Sequence, residues 1–100
     1  MRLSERERAI IVSALKRHFG DDSRVWLFGS RANDSARGGD IDLLVETNLA
    51  QGDDIVAAKL NALAEIHCQI GEQKIDLVIQ RPGGPQLPIH RVARETGVSL

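Results

Sequence analysis

Residues 25–46 constrain the fold most, because they read as two strands joined by a polar loop. The first apolar run ends at Gly29-Ser30, and the second carries Asp40 and Asp42. Side chains alternate faces along a strand, so both aspartates project from one face with Cα atoms roughly 7 Å apart. Aspartate is depleted in strands, and like charges on one face repel each other. A bound cation would relieve that repulsion, so the pair predicts a divalent-metal site.

A third strand at residues 74–79 repeats the pattern of the second. One aspartate, Asp76, interrupts aliphatic residues that otherwise read as buried. If the two strands are neighbours, Asp76 stands beside Asp40 and Asp42. Three carboxylates supply only oxygen ligands, which favour Mg²⁺ or Mn²⁺ over Zn²⁺. Gly29-Ser30 supplies the other half of a site, because glycine lets the backbone approach a phosphate and exposed amides can cradle its oxygens.

A capping box opens the first predicted helix. Ser4 lies at the cap and Glu7 three residues later, and apolar residues then recur at helical spacing. The helix is predicted over about residues 5–19, with Gly20 as its stop. His18 falls near the end, where a solvated or dipole-facing histidine is expected.

A second helix is predicted to begin at residues 51–54 and to end near Gly71, with Asp53 or Asp54 as its cap. His67 is expected to be a satisfied core or rim residue rather than a ligand. Cys68 is expected to be a small buried side chain. The predicted apolar stripe of this helix consists of Val56, Leu60, Leu63, His67 and Ile70.

The final segment predicts a short helix and an edge strand. Pro88 suits the first helical turn, Gly97 ends the helix, and residues 98–100 can add an edge strand. The apolar face of this helix is predicted to be Ile89, Val92 and Ala93. With earlier strands at about 24–28, 40–46 and 74–79, the order of elements predicts an α+β fold, a small mixed β-sheet with helices packed on one side.

Composition limits the class of protein. One hundred residues provide one modest core, so residues 1–100 are predicted to form a single domain. A net charge of −1 gives no general attraction to nucleic acid or anionic membrane, so direct nucleic-acid binding is not expected. The single Cys68 excludes an internal disulfide and a cysteine-built zinc site. No apolar run reaches membrane-spanning length and no signal-peptide core follows the N-terminus, so a cytoplasmic location is expected.

The Gly-Ser turn, the Asp-x-Asp strand and the third aspartate together resemble the DNA polymerase β nucleotidyltransferase superfamily. The small size is similar to its minimal nucleotidyltransferase (MNT) group, the antitoxin partners of HEPN-domain toxins, and the resemblance covers essentially the whole chain. The sequence departs from the superfamily pattern at Gly39, where serine is common, and at Asn33-Asp34, where Arg-Gly is common.

The resemblance implies a polymerase-β-like fold and a two-metal transfer catalysed by Asp40, Asp42 and Asp76. Asp40 and Asp42 would bridge two Mg²⁺ ions, and Asp76 would hold one of them. Asp76 has a further possible role as the proton acceptor.

The nucleotide is implied to be ATP, with its outer phosphates bound by Gly29 and Ser30. Arg31 and Arg37 follow in the connecting loop, where their charges would neutralise phosphate. For Arg37, a solvated loop position is an equally good interpretation.

The acceptor hydroxyl is implied to come from a partner, because these residues leave no room for an acceptor-binding domain. By resemblance that partner is a HEPN toxin, a ribonuclease held in a hetero-oligomer, and AMP from ATP is placed on its tyrosine. Two alternatives stay open: an antitoxin that masks the toxin without catalysis, and a nucleotidyltransferase with a small-molecule acceptor. The alternative without a functional site is that the aspartates only form the solvent-exposed face of an amphipathic sheet.

Overall fold

The computed structural model describes residues 1–33 and 39–100, which form four strands, three α-helices and one 3₁₀ turn. This is the α+β class that the sequence predicts. The elements in chain order are α1 (Glu5–Phe19), β1 (Arg24–Phe28), the 3₁₀ turn (Gly29–Ala32), β2 (Ile41–Glu46), α2 (Gly52–Ile70), β3 (Ile75–Gln80), α3 (Pro88–Thr96) and β4 (Val98–Ser99). Within the described ranges, no helix has the length and apolar character that crossing a bilayer needs.

The sheet is mixed, with strand order β3-β2-β1-β4. β1 pairs antiparallel with both β2 and β4, whereas β2 and β3 run parallel. A parallel pair needs a crossover connection, and α2 provides it. β4 therefore lies at an edge, as predicted, and β3 forms the opposite edge.

Helix α1 begins and ends where the sequence predicts. The hydroxyl of Ser4 accepts a hydrogen bond from the Glu7 amide at 3.0 Å, and the Glu7 carboxylate accepts one from the Ser4 amide at 3.1 Å. Gly20 follows the helix at a φ of 115°, which glycine adopts without strain. His18 differs from a purely solvated histidine, because its Nε2 lies 3.2 Å from Oε1 of Glu65 on α2.

Helices α1 and α2 pack on one face of the sheet, as predicted. Side chains at alternate strand positions meet Leu15 and Phe19 of α1 and Ile66 of α2 in the main core. The strand residues that face this core are Val25, Leu27, Ile41, Leu43, Val45 and Leu77.

Helix α3 lies on the opposite face, which we call the α3 face, so the helices are not all on one side. Ala93 of α3 is fully buried against Phe28 and Leu44, with Trp26 and Val78 at the margin. These strand residues are apolar, so leaving this part of the face open would expose aromatic and aliphatic surface to water. The small Ala93 side chain lets α3 approach the sheet closely.

The buried face of α2 differs from the predicted stripe. Ala58, Ala62 and Ile66 are buried, whereas Val56 and Leu60 are 58% and 64% exposed. Small alanine side chains let the helix backbone approach its neighbours, and this close packing turns the two larger side chains outward. Leu63 and Ile70 from the predicted stripe do pack against the core.

Three further expectations for α2 have mixed outcomes. The cap residue is Gln51, which makes no side-chain hydrogen bond to the helix, so neither Asp53 nor Asp54 is the cap. Both aspartates lie in the first turn, where their negative charges interact favourably with the helix dipole. His67 is a satisfied rim residue, as predicted, with Nε2 2.9 Å from the Gln73 carbonyl oxygen. Cys68 is exposed, so the prediction of burial was wrong.

Helix α3 starts at Pro88 and ends before Gly97, as predicted, but its apolar face is only partly covered. Ala93 is buried, whereas Ile89 and Val92 are 41% and 48% exposed. His90 is buried instead, and its Nδ1 accepts a hydrogen bond from the Leu87 amide at 3.1 Å at the start of the helix.

Candidate active site

Asp42 and Asp76 are direct partners across the parallel strands β2 and β3. Because side chains alternate along each strand, both carboxylates project from the α3 face. Asp40 lies just before β2 and is half-exposed, and its Oδ2 is 3.5 Å from Nζ of Lys74. The structure therefore brings Asp42 and Asp76 together, while the carboxylate of Asp40 pairs with a lysine at the margin of the same site.

The pKa of Asp42 is raised above its ordinary value of 3.8. Partial burial is the largest cause, and the charge of Asp76 and a hydrogen bond to it come next. Asp40 raises the pKa further, whereas Lys74 lowers it. The site thus disfavours negative charge on Asp42 when no cation is bound.

Gly29 begins the 3₁₀ turn directly against the Asp42 carboxylate. A Cβ atom on Gly29 would lie 2.2 Å from Oδ2 of Asp42, well inside van der Waals contact. Its φ of +74° is also one that other residues rarely adopt. Glycine is required here on both counts, and it places an exposed backbone segment next to the paired carboxylates.

Ser30 and Arg31 occupy the same turn, but their polar groups have different surroundings. The Ser30 carbonyl accepts hydrogen bonds from Nη2 of Arg2 at 3.2 Å and from the Asn33 amide at 3.3 Å. The Arg31 guanidinium donates to the Arg2 carbonyl at 3.0 Å and to two further acceptors, described below. Binding of nucleotide by Gly29, Ser30 and Arg31 stays a prediction. Arg37 lies outside the described residues.

The chemistry of the donor set suits a hard divalent cation. Asp42 and Asp76 offer only carboxylate oxygens, and Mg²⁺ commonly takes one or two carboxylates with water and phosphate completing its octahedron. The missing Cβ of Gly29 lets the backbone of the turn pack directly against the Asp42 carboxylate. Within residues 1–33 and 39–100, no three His, Cys, Asp or Glu side chains are already arranged to hold a metal. If Asp40 joined the pair, the cation would compete with Lys74 for its carboxylate.

Two residues of the site were not anticipated from the sequence. Lys74 precedes Asp76 by two positions, so the alternation that placed the aspartates on one face also places Lys74 there. The sequence therefore contained the information that places Lys74 at the site. Gln73 accepts a hydrogen bond from Arg31 at 3.1 Å, and nothing in its sequence neighbourhood distinguishes it from an ordinary loop glutamine.

The chain is similar to a known family of protein domains. A family model described as "Nucleotidyltransferase domain" matches residues 8–97, a range that includes every candidate site residue. A search of curated proteins gives no match.

Proposed function

The chain belongs to the nucleotidyltransferase domain family, and from this premise we propose that it transfers AMP from ATP to a hydroxyl group of a partner protein. The α+β fold is consistent with the polymerase-β-like members of that superfamily. The observation that carries the proposal is the pairing of Asp42 with Asp76 across parallel strands, with the Gly29 backbone packed against Asp42. An amphipathic sheet alone would not need a glycine at that position.

In the proposed reaction, the acceptor hydroxyl oxygen attacks the α-phosphorus of ATP. A new P–O bond forms, the bond from the α-phosphorus to the oxygen bridging the β-phosphate breaks, and pyrophosphate leaves. Asp76 would take the hydroxyl proton, and its exposure supports this role because an acceptor can reach it.

Asp42 and Asp76 would hold a divalent cation, with Asp40 as the third ligand and Mg²⁺ as the preferred ion. When bound, such an ion would neutralise phosphate charge and lower the pKa of the acceptor hydroxyl, and a pair of ions would serve both the attacking and the leaving oxygen. The Gly29–Ala32 turn would bind the outer phosphates through backbone amides, since Gly29 permits their close approach.

The acceptor we propose is a tyrosine of a HEPN toxin, with this chain as its MNT antitoxin. The identity of the partner comes from the sequence resemblance, and a surface of α3 supports a protein acceptor. Leu87, Ile89 and Val92 are each between 41% and 49% exposed. Exposed apolar side chains grouped on one helix are typical of protein contacts. A partner bound there would lie beside the same sheet face that carries the carboxylates.

The same surface also supports a second candidate function, in which the chain masks its toxin by binding alone. The paired carboxylates favour catalysis over masking, because two like charges side by side serve no structural purpose. Transfer of a nucleotide to a small-molecule acceptor is the remaining alternative.

The proposal is tested by incubating the chain with ATP labelled at the α-phosphate and Mg²⁺, with and without the protein encoded by the neighbouring gene. We expect label on the partner with wild type and at least a hundredfold less with Asp42→Asn. The matched control is Asp53→Asn in the first turn of α2, which should retain wild-type transfer.

Each other outcome selects a different function. A stable complex that inhibits the partner without transfer of label would replace catalysis by masking. Label on a small molecule, with none on the partner, would assign that molecule as the acceptor. Full transfer by Asp42→Asn would refute the proposed site.

A further inference from the structure

Arg31 is committed to acceptors within the protein. Its Nη1 donates to the Arg2 carbonyl at 3.0 Å, and its Nη2 donates to the Gly39 carbonyl at 3.0 Å and to Oε1 of Gln73 at 3.1 Å. These acceptors belong to three separate segments of the chain. Both terminal nitrogens of the guanidinium therefore already have acceptors within the protein.

Two of the three acceptors lie close in sequence to the carboxylates of the candidate site. Gly39 directly precedes Asp40, and Gln73 lies three residues before Asp76. Arg31 itself follows Gly29 and Ser30 in the 3₁₀ turn. One guanidinium thus connects the 3₁₀ turn with the starts of both strands that carry carboxylates.

The glutamine acceptor is itself fixed by neighbouring groups. Its amide nitrogen donates to Oε2 of Glu7 at 3.1 Å, which leaves the amide oxygen as the end that meets Arg31. That hydrogen bond is the largest cause of the lowered pKa of Glu7, which keeps this carboxylate ionised as an acceptor. The Gln73 backbone is also bound, through its carbonyl oxygen, by His67. The Arg31 contact therefore rests on an anchored partner.

We infer that Arg31 is a positioning residue, whose guanidinium holds the start of β2 and the start of β3 against the Gly29–Ala32 turn and so sets the spacing of Asp40, Asp42 and Asp76. This inference rests on the proposed function for its catalytic meaning. It differs from the role of phosphate ligand that the sequence suggests, because Arg31 acts through Gly39 and Gln73 rather than on the nucleotide.

The two roles make opposite demands on a lysine at this position. A lysine keeps the positive charge and remains a good phosphate ligand, but it lacks the planar fork that reaches several fixed acceptors. A positioning role therefore predicts that Arg31→Lys is as damaging as removal of the charge. A phosphate role predicts that Arg31→Lys retains most function and that Gln73→Ala has no effect.

The test measures binding of Mn²⁺ by electron paramagnetic resonance without nucleotide, so that phosphate contacts play no part. Wild type, Arg31→Lys and Gln73→Ala are compared, with Asp42→Asn to identify binding at the site. We expect both variants to lose about tenfold in affinity, as is typical when groups behind metal ligands are removed. The double variant should lose no more than Arg31→Lys alone, because the two residues act in one contact.

Two control variants keep charge and composition matched. Arg24→Lys lies at the opposite end of β1 from the turn. Gln69→Ala removes an exposed side chain on α2 and keeps the backbone carbonyl that accepts a hydrogen bond from Arg6. Both should bind Mn²⁺ as wild type does.

A metal-free measurement separates this inference from the proposed function. The Ile41 amide donates to the Lys74 carbonyl at 3.0 Å and joins the starts of β2 and β3. Its hydrogen exchange should accelerate about tenfold in Arg31→Lys and Gln73→Ala, and not in the controls. Wild-type exchange together with wild-type Mn²⁺ affinity in Arg31→Lys would overturn the positioning role. If wild type binds no Mn²⁺ while exchange accelerates as expected, the proposed metal site fails and the positioning role stands.

Discussion

Nζ of Lys74 lies 3.5 Å from Oδ2 of Asp40, so the candidate site contains its own counter-charge. The two residues are adjacent across the start of β2 and β3, just outside the Asp42–Asp76 pair. In the free protein the ammonium group offsets one of three nearby carboxylates. An incoming divalent cation must compete with it for Asp40.

We therefore predict that Lys74→Gln binds Mn²⁺ more tightly than wild type. Both side chains are substantially exposed, so water screens their attraction and the expected gain is about two- to fivefold. Isothermal titration calorimetry at low and high salt measures it, and the gain should shrink as salt is added. Lys59→Gln on α2, which packs on the other face of the sheet, serves as the control. A loss of affinity in Lys74→Gln would contradict this account.

Replacing Gly29 by alanine should have two separate effects, a loss of stability and a loss of transfer activity. In Gly29→Ala the new Cβ would meet Oδ2 of Asp42 at 2.2 Å and the residue would keep a φ of +74°. The backbone strain costs about 1–2 kcal/mol in unfolding free energy, and displacement of Asp42 should abolish nucleotidyl transfer. Chemical denaturation and the labelling assay measure the two effects.

Gly71→Ala is the matched control for this substitution. Gly71 has a similar φ of +87°, but a Cβ there would meet nothing within 4 Å. It should lose a similar amount of stability and keep full transfer activity. If Gly71→Ala lost activity as well, reduced stability rather than displacement of Asp42 would explain the Gly29 result.

Much of the fold could be predicted from the sequence because each element carries a local signal. The Ser4–Glu7 capping box and the alternation along β2 and β3 act over a few residues, and the repeated aspartate suggested the pairing of Asp42 with Asp76. The buried face of α2 could not be predicted in the same way. Hydrophobicity favours burial of Val56 and Leu60, whereas close packing of the helix favours burial of the alanines. The choice between the two faces depends on the neighbouring elements, and the structure shows that the alanines are buried.

The role of Arg31 could not be predicted for a different reason. Two of its three acceptors are backbone carbonyls, which every residue possesses, so the sequence carries no mark of them. An arginine after a Gly-Ser turn in a candidate phosphate site suggests a phosphate ligand. The structure adds the neighbouring acceptors, and these point to a positioning role instead.

The raised pKa of Asp42 predicts that the site lowers the stability of the metal-free protein. A carboxyl group whose pKa is higher in the folded state stabilises the fold fully below its unfolded value, near 3.8, and this contribution is lost as the pH rises through the folded value. At neutral pH, Asp42→Asn removes a partly buried charge that faces Asp76. We expect its Tm to exceed that of wild type at pH 7.5 in EDTA, and the difference to shrink as the pH approaches 4.

Differential scanning fluorimetry at both pH values tests this, and Mn²⁺ provides a second comparison. Added Mn²⁺ should raise the Tm of wild type and leave Asp42→Asn unchanged, because ligand binding stabilises only a protein that binds it. Asp53→Asn should have the same Tm as wild type at both pH values, and Mn²⁺ should raise its Tm as it does for wild type. A Tm for Asp42→Asn below wild type at pH 7.5 would mean that Asp42 stabilises the fold.

The exposed apolar residues of α3 give a prediction about the partner that leaves the site intact. Val92 is 48% exposed on α3, whose buried Ala93 packs on the sheet face that carries Asp42 and Asp76. A charge placed there would have to be desolvated in any protein contact, so Val92→Asp should weaken binding of the neighbouring gene's product by at least tenfold. Binding of Mn²⁺ should stay at the wild-type level, because Val92 is not a candidate ligand.

Leu60→Asp is the control for this prediction. Leu60 is 64% exposed, but it lies on α2 at the other face of the sheet. Analytical ultracentrifugation of the mixed proteins measures the affinity, and equal weakening by the two variants would show that the partner does not bind specifically at α3.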